Sequence, residues 1–326
     1  MKALILYDFN EPYQLKEIER PTAGTGTVLV KIMASGINPL DLKIVAGQAG
    51  HAKPVLPAIL GIDMAGVVEA VGEGVTGFKV GDEVYGMTGG IAGVQGSLAE
   101  YAAVDADLLA LKPSILSMKE AAALPLIFIT AWEALVDRAQ VGAGKTVLVH
   151  GGAGGVGHIA VQIAKAFDAA VFATVSEKDF DLIRSYGATP IDRNMLVDDL
   201  IQQFAQGEGF DIILDTVGGA VLDASFKEVK QYTGHVVSIL GWGSHSLAPL
   251  SFKGATYSGV FTLYPLISGK YRKQHGDILR KATEMVARGL LKPIIDKEEY
   301  TLATIHSAYD AVNSGKAQGK VVVTIG

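Results

Sequence analysis

The sequence predicts an α/β protein in which a β-rich, barrel-like unit is followed by a doubly wound parallel sheet. Three observations predict it. The first hundred or so residues alternate short β-rich runs with glycine and proline punctuation, the texture turns helical from about Ser117, and strands then alternate regularly with helices from Thr146 onward. A chain of 326 residues also exceeds the roughly 100 to 200 residues usual for one domain, so each unit can bury its own core.

In chain order, the first β runs cover residues 3–7, 27–34, 66–71, 83–86 and 98–104. Turn formers such as Gly72-Glu73-Gly74 and Gly81-Asp82 lie between them. Ser117 followed three residues later by Glu120 has the spacing of a capping box and starts a helix over Ala121-Ala122-Ala123-Leu124. After a second helical stretch at 131–138, strands are expected at 146–150, 170–174, 211–215 and 235–240, with helices at 156–167, 178–186 and 220–230 between them. The tail carries a helix at 273–290 and an apolar strand at 319–325 that rejoins the first domain.

Bulk properties exclude several functions. A formal net charge of −6 works against attraction to nucleic-acid phosphates or anionic lipid, so neither is expected as a partner. No apolar run approaches the roughly 20 residues that span a bilayer, and the few apolar residues after Met1-Lys2 are too short a core for a secretory signal. With no cysteine there is no disulfide, thiolate zinc site or cysteine nucleophile, and a reducing cytoplasmic location is compatible.

The strongest local signal is Thr146-Val147-Leu148-Val149-His150 running into Gly151-Gly152-Ala153-Gly154-Gly155-Val156-Gly157. Gly152, Gly154 and Gly157 satisfy GxGxxG, and Val156, Ile159, Ala160, Ile163, Ala164 and Phe167 continue on one helical face. A strand, a glycine turn and an amphipathic helix in that order form a Rossmann-type dinucleotide site, with the pyrophosphate on the helix N-terminus. The bland alternative is a glycine-rich structural turn. The next strand ends near Thr174, where an enzyme using NAD usually carries an acid for the ribose 2′-hydroxyl. Thr174 is uncharged, and Ser176 and Lys178 supply a hydroxyl and a cation suited to a 2′-phosphate, so NADPH is the expected cofactor. Glu177 argues the other way, and Lys178 also reads as a solvated lysine of a first helical turn.

Ser35-Gly36-Ile37-Asn38-Pro39-Leu40-Asp41, Gly61-Ile62-Asp63-Met64-Ala65-Gly66-Val67-Val68, Gly81-Asp82-Glu83-Val84-Tyr85-Gly86 and the glycine turn occur in that order. With Ala122-Ala123-Leu124-Pro125, Thr130-Ala131-Trp132-Glu133-Ala134-Leu135 and the closing Gly319-Lys320-Val321-Val322, they resemble the medium-chain dehydrogenase/reductase superfamily, in particular its quinone oxidoreductase (zeta-crystallin-like) branch. The resemblance implies a GroES-like β-barrel domain from residues 1–120 with 262–326, and a Rossmann domain at 121–261. Where zinc-dependent alcohol dehydrogenases of that superfamily carry Cys, His and Cys, this chain has Asn38, Ile62 and Leu126, so no metal is expected. Asp63 stands where they keep an acid, and its expected duty is structural hydrogen bonding.

The same resemblance places Asn38 and Thr130 beside the nicotinamide and Ala153 to Gly157, Gly155 and Val156 among them, around the pyrophosphate. It places Thr216, Val217, Leu240 and Gly241 along the open edge of the nucleotide, with Phe261, Thr262 and Leu263 adding contacts. Each has a plainer reading: a turn at Asn38-Pro39, a helix cap at Thr130, an ordinary glycine after a strand at Gly241. Without a Lewis acid, alcohol deprotonation is poorly supported, whereas a conjugated acceptor spreads the incoming charge itself. The expectation is therefore an NADPH-dependent reductase of a small quinone or α,β-unsaturated carbonyl. The alternatives are a zinc-independent enzyme of alcohol dehydrogenase type and a non-catalytic NADPH-binding sensor or structural protein.

The seven histidines form no HxxxH or HxH spacing, and His150 at the end of a strand reads as a packed or hydrogen-bonded group. Tyr85, Tyr257 and Tyr264 read as packing groups, so no catalytic acid is named, and no serine sits in a G-x-S-x-G elbow. Enzymes that this chain resembles commonly dimerise through an edge strand of the nucleotide domain, for which 257–261 is the candidate, so the resemblance implies a homodimer.

Overall fold

The computed structural model describes residues 1–326, which divide into two compact units: Met1–Leu126 with Leu263–Gly326, and Ile127–Thr262. The first unit opens with strands β1 (Lys2–Leu6), β2 (Gln14–Glu17) and β3 (Thr27–Gly36), followed by helix α1 (Pro39–Val45). Strands β4 (Ala58–Ile59), β5 (Asp63–Val71), β6 (Glu83–Met87), β7 (Tyr101–Asp105) and β8 (Leu109–Leu111) come next, then helix α2 (Met118–Ala122) and the start of α3 (Pro125–Trp132), most of which belongs to the second unit. Strand β3 is buried over most of its length and pairs antiparallel with both β5 and β7. Register shifts at Leu29/Val30 and Ile32/Ala34 mark bulges, the device by which such a sheet bends.

Helix α2 begins with the capping box expected at Ser117 and Glu120. Its Ala121 and Ala122 are buried against β3 and β5, which keeps the helix in the first unit. The division accordingly falls after Leu126, a few residues beyond where the change to helical texture sets it. Helix α3 then passes into a π-helical turn, Glu133–Arg138, within the stretch read as helical.

The second unit adds β9 (Thr146–His150), α4 (Gly155–Ala166), β10 (Ala170–Val175), α5 (Phe180–Ser185), β11 (Thr189–Asp192) and α6 (Val197–Phe204). It continues with β12 (Ile212–Asp215), α7 (Ala220–Glu228), β13 (His235–Ser238), α8 (Ala248–Lys253) and β14 (Thr256–Gly259). All its strand pairs are parallel, in the order β11-β10-β9-β12-β13-β14. Chain order reverses between β9 and β12, the switch point beside which doubly wound sheets bind ligands. Leu148, Phe210, Ile213, Phe226 and Val236 lie in one buried cluster, with Phe172 packed edge-on to Phe204 and Phe210. Strand β11 and helix α6 escaped the sequence pattern. Pro190 lowers the strand score of β11, yet the strand lies at the sheet edge, where a missing N–H is tolerated.

The chain then returns to the first unit through α9 (Tyr264–Ser268), α10 (Arg272–Ala287), β15 (Tyr300–Thr301), α11 (Ile305–Asn313) and β16 (Val322–Thr324). Strand β16 pairs with the end of β3, completing the larger sheet. The molecule combines a β domain with a Rossmann-type sheet. No helix is long and apolar enough to cross a membrane.

Candidate nucleotide and active sites

Between β9 and α4 the chain turns where side chains are forbidden at two points. A Cβ on Gly157 would meet the Gly151 carbonyl oxygen at 2.1 Å, and one on Gly152 would meet Ala173 Cβ at 2.6 Å. Both glycines are buried, whereas Gly154 and Gly155 are exposed and Ala153 and Val156 half-buried. Gly154 is the N-cap of the 12-residue helix α4 and supplies no side-chain cap. Its first amides are thus presented at an open turn, together with the positive end of the helix dipole, and these features fit a diphosphate.

The turn is held from behind by a buried hydrogen-bond network. His150 contacts Thr174 Oγ1 through Nδ1 at 3.0 Å and Glu228 Oε2 through Nε2 at 2.7 Å. Gly151 N donates to Thr174 Oγ1 at 3.4 Å, Gly152 N donates to the Thr174 carbonyl at 3.2 Å, and Thr216 Oγ1 donates to the His150 carbonyl at 2.6 Å. The hydroxyls of Thr174 and Thr216, two positions that the sequence places at the nucleotide, therefore hold the turn. The parallel register sets Thr174 directly opposite His150, so their side chains share a face.

At the end of β12, buried Asp215 accepts from Val217 N, Gly218 N and Ser238 Oγ at 3.0, 2.8 and 2.7 Å. This fixes the neighbouring turn while leaving Val217 exposed, and Leu240 and Gly241 lie at the end of the adjacent β13 with Gly241 exposed. At the end of β10, Ser176 is half-buried and Lys178 exposed. The structure adds Arg193, which sequence reasoning missed: its N–H donates to the Val175 carbonyl at 3.0 Å, so a second exposed cation flanks Ser176. The acid beside it, Asp192, is engaged by Asn194 N and Nδ2 at 2.9 and 3.1 Å. Recognising β11 would have been the signal for Arg193.

Thr130 and Thr262 meet, both buried, with their hydroxyl oxygens 3.1 Å apart, and Thr262 donates to Glu133 Oε2 at 3.2 Å. Phe261 beside them is exposed, while Leu263 is buried and belongs to the first unit.

The first unit holds a different cluster. Asn38 caps α1, its N–H donating to Asp41 Oδ2 at 2.8 Å. Asn38 Nδ2 donates to Asp63 Oδ2 at 2.9 Å, and Lys320 Nζ donates to Asn38 Oδ1 and stands 3.7 Å from Asp63 Oδ2. The other Asp63 oxygen accepts from Leu126 N at 2.8 Å, at the start of α3. Asn38 is 1% exposed and both ends of its amide are engaged. Its side chain binds the enclosed lysine and aspartate, at the position that the resemblance sets beside the nicotinamide. Burial pushes the Asp63 carboxyl up to about 6 against the pull of Lys320, pushes Asp41 up to about 7, and lowers Lys320. No three His, Cys, Asp or Glu side chains come together as a ligand set, and Ile62 beside Asp63 is buried and apolar.

Comparison with known proteins agrees with this architecture. Residues 24–114 match the family described as "Alcohol dehydrogenase GroES-like domain" and residues 186–323 match "Zinc-binding dehydrogenase". The chain is 36% identical to 2-methylene-furan-3-one reductase of Solanum lycopersicum and 34% identical to the chloroplastic NADPH-dependent alkenal/one oxidoreductase of Arabidopsis thaliana, over 99% of this chain and 79% of each relative. It is 31% identical to human quinone oxidoreductase over 100% of this chain and 98% of the relative. An alcohol dehydrogenase superfamily protein from Novosphingobium aromaticivorans superposes with a TM-score of 0.98 at 53% identity, covering 100% of both chains.

Proposed function

Since this chain belongs to the medium-chain dehydrogenase/reductase superfamily, we propose that it is a zinc-independent, NADPH-dependent reductase of small quinones or α,β-unsaturated carbonyls. The observation that carries the reading is the open glycine turn at the head of α4, where buried Gly152 and Gly157 permit close packing and an uncapped helix end remains for a diphosphate. Ser176, Lys178 and Arg193 would receive the 2′-phosphate, and the name of the Arabidopsis relative agrees with that preference. When bound, a reduced nicotinamide supplies hydride. The chain's task is then to hold and orient the partners and to donate or accept hydrogen bonds.

Zinc does not fit the residues present. Asn38, Ile62 and Leu126 replace the donors of related zinc enzymes, and the Lys320 ammonium already faces the Asp63 carboxylate, where a second cation would be repelled. No step is therefore routed through a metal. The substrate readings are supported by the names of the tomato and human relatives, which are a furanone reductase and a quinone oxidoreductase. A homodimer through β14 is supported by its position at the sheet edge and by exposed Phe252, Tyr257 and Phe261 nearby. A cysteine-free dinucleotide enzyme also suits the cytoplasm.

The test is NADPH oxidation by chelator-treated protein across a panel of quinones and enones. Turnover undiminished by chelation is the expected result. No turnover with any acceptor despite nucleotide binding would favour a sensor, and turnover of alcohols with NADP+ would favour the alcohol dehydrogenase alternative.

A further inference from the structure

His245 sits between two groups that accept a hydrogen bond and have none to give. Its Nδ1 lies 2.9 Å from Asp223 Oδ1, and its Nε2 lies 3.1 Å from the Trp242 carbonyl oxygen. A carboxylate and a carbonyl carry no hydrogen, whereas a neutral imidazole has a single N–H. Both contacts are therefore satisfied together only by the imidazolium. Asp223 lies in the first turn of α7, where the helix dipole favours its ionised form. The charges that act on the ring are Asp223 and the buried Asp215, both negative, and the uncharged Phe226 ring stands edge-on to His245 and to Tyr257. The hydrogen bond to Asp223, then that to the Trp242 carbonyl, holds the imidazolium above the usual histidine range.

Contacts join this clamp to the glycine turn. In the parallel register His150, Asp215 and Ser238 stand side by side, so the segments after β9, β12 and β13 leave the same edge of the sheet. A Cβ on Gly151 would meet Thr216 Oγ1 at 2.6 Å and Val217 Cγ2 at 3.1 Å, and one on Gly218 would meet the Leu240 carbonyl oxygen at 2.7 Å. Leu240 N donates to Ser238 Oγ at 3.1 Å, and its carbonyl accepts from Trp242 N at 2.8 Å. Ser238 thus fixes the near end of the segment after β13, and His245 ties its far end to α7. Resting on the dinucleotide reading above, we infer that His245 is a positioning residue whose imidazolium clamps this segment beside the glycine turn, so that nucleotide affinity depends on its proton. Loss of the proton breaks one of the two bonds. The clamp is complete below the ordinary histidine value, and affinity falls as pH rises through the raised one.

Calorimetry of NADP+ binding to the wild type and to His245→Asn, from about pH 6 to about pH 9, tests this. Ionisation of the 2′-phosphate is common to both proteins, so the ratio of their dissociation constants isolates the histidine. The variant should bind about 3- to 10-fold more weakly at the acid end and within about 2-fold of the wild type at the alkaline end, as expected for one hydrogen bond made by a charged group. A histidine that only filled space would give a ratio independent of pH. Asp223→Asn keeps an acceptor oxygen but removes the charge, and should move the fall in affinity to lower pH. Nitrogen NMR of the His245 ring in the free protein should show both nitrogens protonated at the acid end. A ratio that does not change with pH, or a ring with one protonated nitrogen at about pH 6, would overturn the inference while leaving the dinucleotide reading intact. Failure of NADP+ to bind at every pH would refute the underlying reading, and the inference with it.

Discussion

The turn between β9 and α4 and the cluster around Asn38 are both built of polar groups held in close quarters, but they treat those groups oppositely. At the turn, side chains of Thr174, Thr216 and His150 are drawn inward to hold the backbone, and the amides at the head of α4 are left without a side-chain cap. In the cluster, Asn38, Asp63 and Lys320 satisfy one another and little is exposed. Open donors accept a ligand, whereas a closed network holds elements together. Lys320 on the segment leading into β16, Asn38 before α1 and Asp63 opening β5 are fastened to one another, as ligands on a shared metal would be.

The comparison is broken most severely by Lys320→Met. Removing the cation leaves the buried Asp63 carboxyl without the ammonium that faces it, with an expected loss of ~3–5 kcal/mol in unfolding free energy by denaturant titration. Adding Asp63→Asn should restore part of it. Gly157→Ala attacks the other region: its methyl would lie against the Gly151 carbonyl, and moving α4 away should weaken NADPH at least ~100-fold by calorimetry while the protein stays folded. Lys178→Ala and Arg193→Ala should each weaken NADPH by ~10-fold with NADH nearly unchanged, sharpening the assignment of the 2′-phosphate end. Equal effects on both nucleotides would remove these cations from it.

The enclosed carboxyls also make stability depend on pH. Asp41 is pushed up to about 7 by burial from an ordinary 3.8, so folding favours its protonated form. A raised carboxyl contributes stability that is full below the unfolded value and is lost as pH rises through the folded one. Asp63, raised to about 6, acts in the same sense. Unfolding free energy should therefore fall between about pH 4 and pH 8 on account of these groups. Asp41→Asn should flatten that slope, as read from melts across the range.

The glycine turn was legible because strand, turn and helix are contiguous and each glycine answers a local steric demand. The α/β alternation was legible for the same reason, as was the capping box of α2. What escaped depends on contacts distant in sequence. Lys320 lies 282 residues from the Asn38 that it binds, and nothing local marks either as half of a pair. The bond between Thr174 and His150 was not legible either, because the register that sets β10 against β9 pairs residues 24 apart in sequence. Arg193 was hidden because Pro190 masked the edge strand that delivers it. Glu133 was read only as part of a helical motif, since its tie to Thr262 spans 129 residues.

The most direct test of the central claim is a calorimetric titration of NADPH into protein whose zinc content is measured on the same sample. One nucleotide should bind per chain, with zinc far below stoichiometric. No binding heat in metal-free protein, or binding that returns only when stoichiometric zinc is restored, would contradict it.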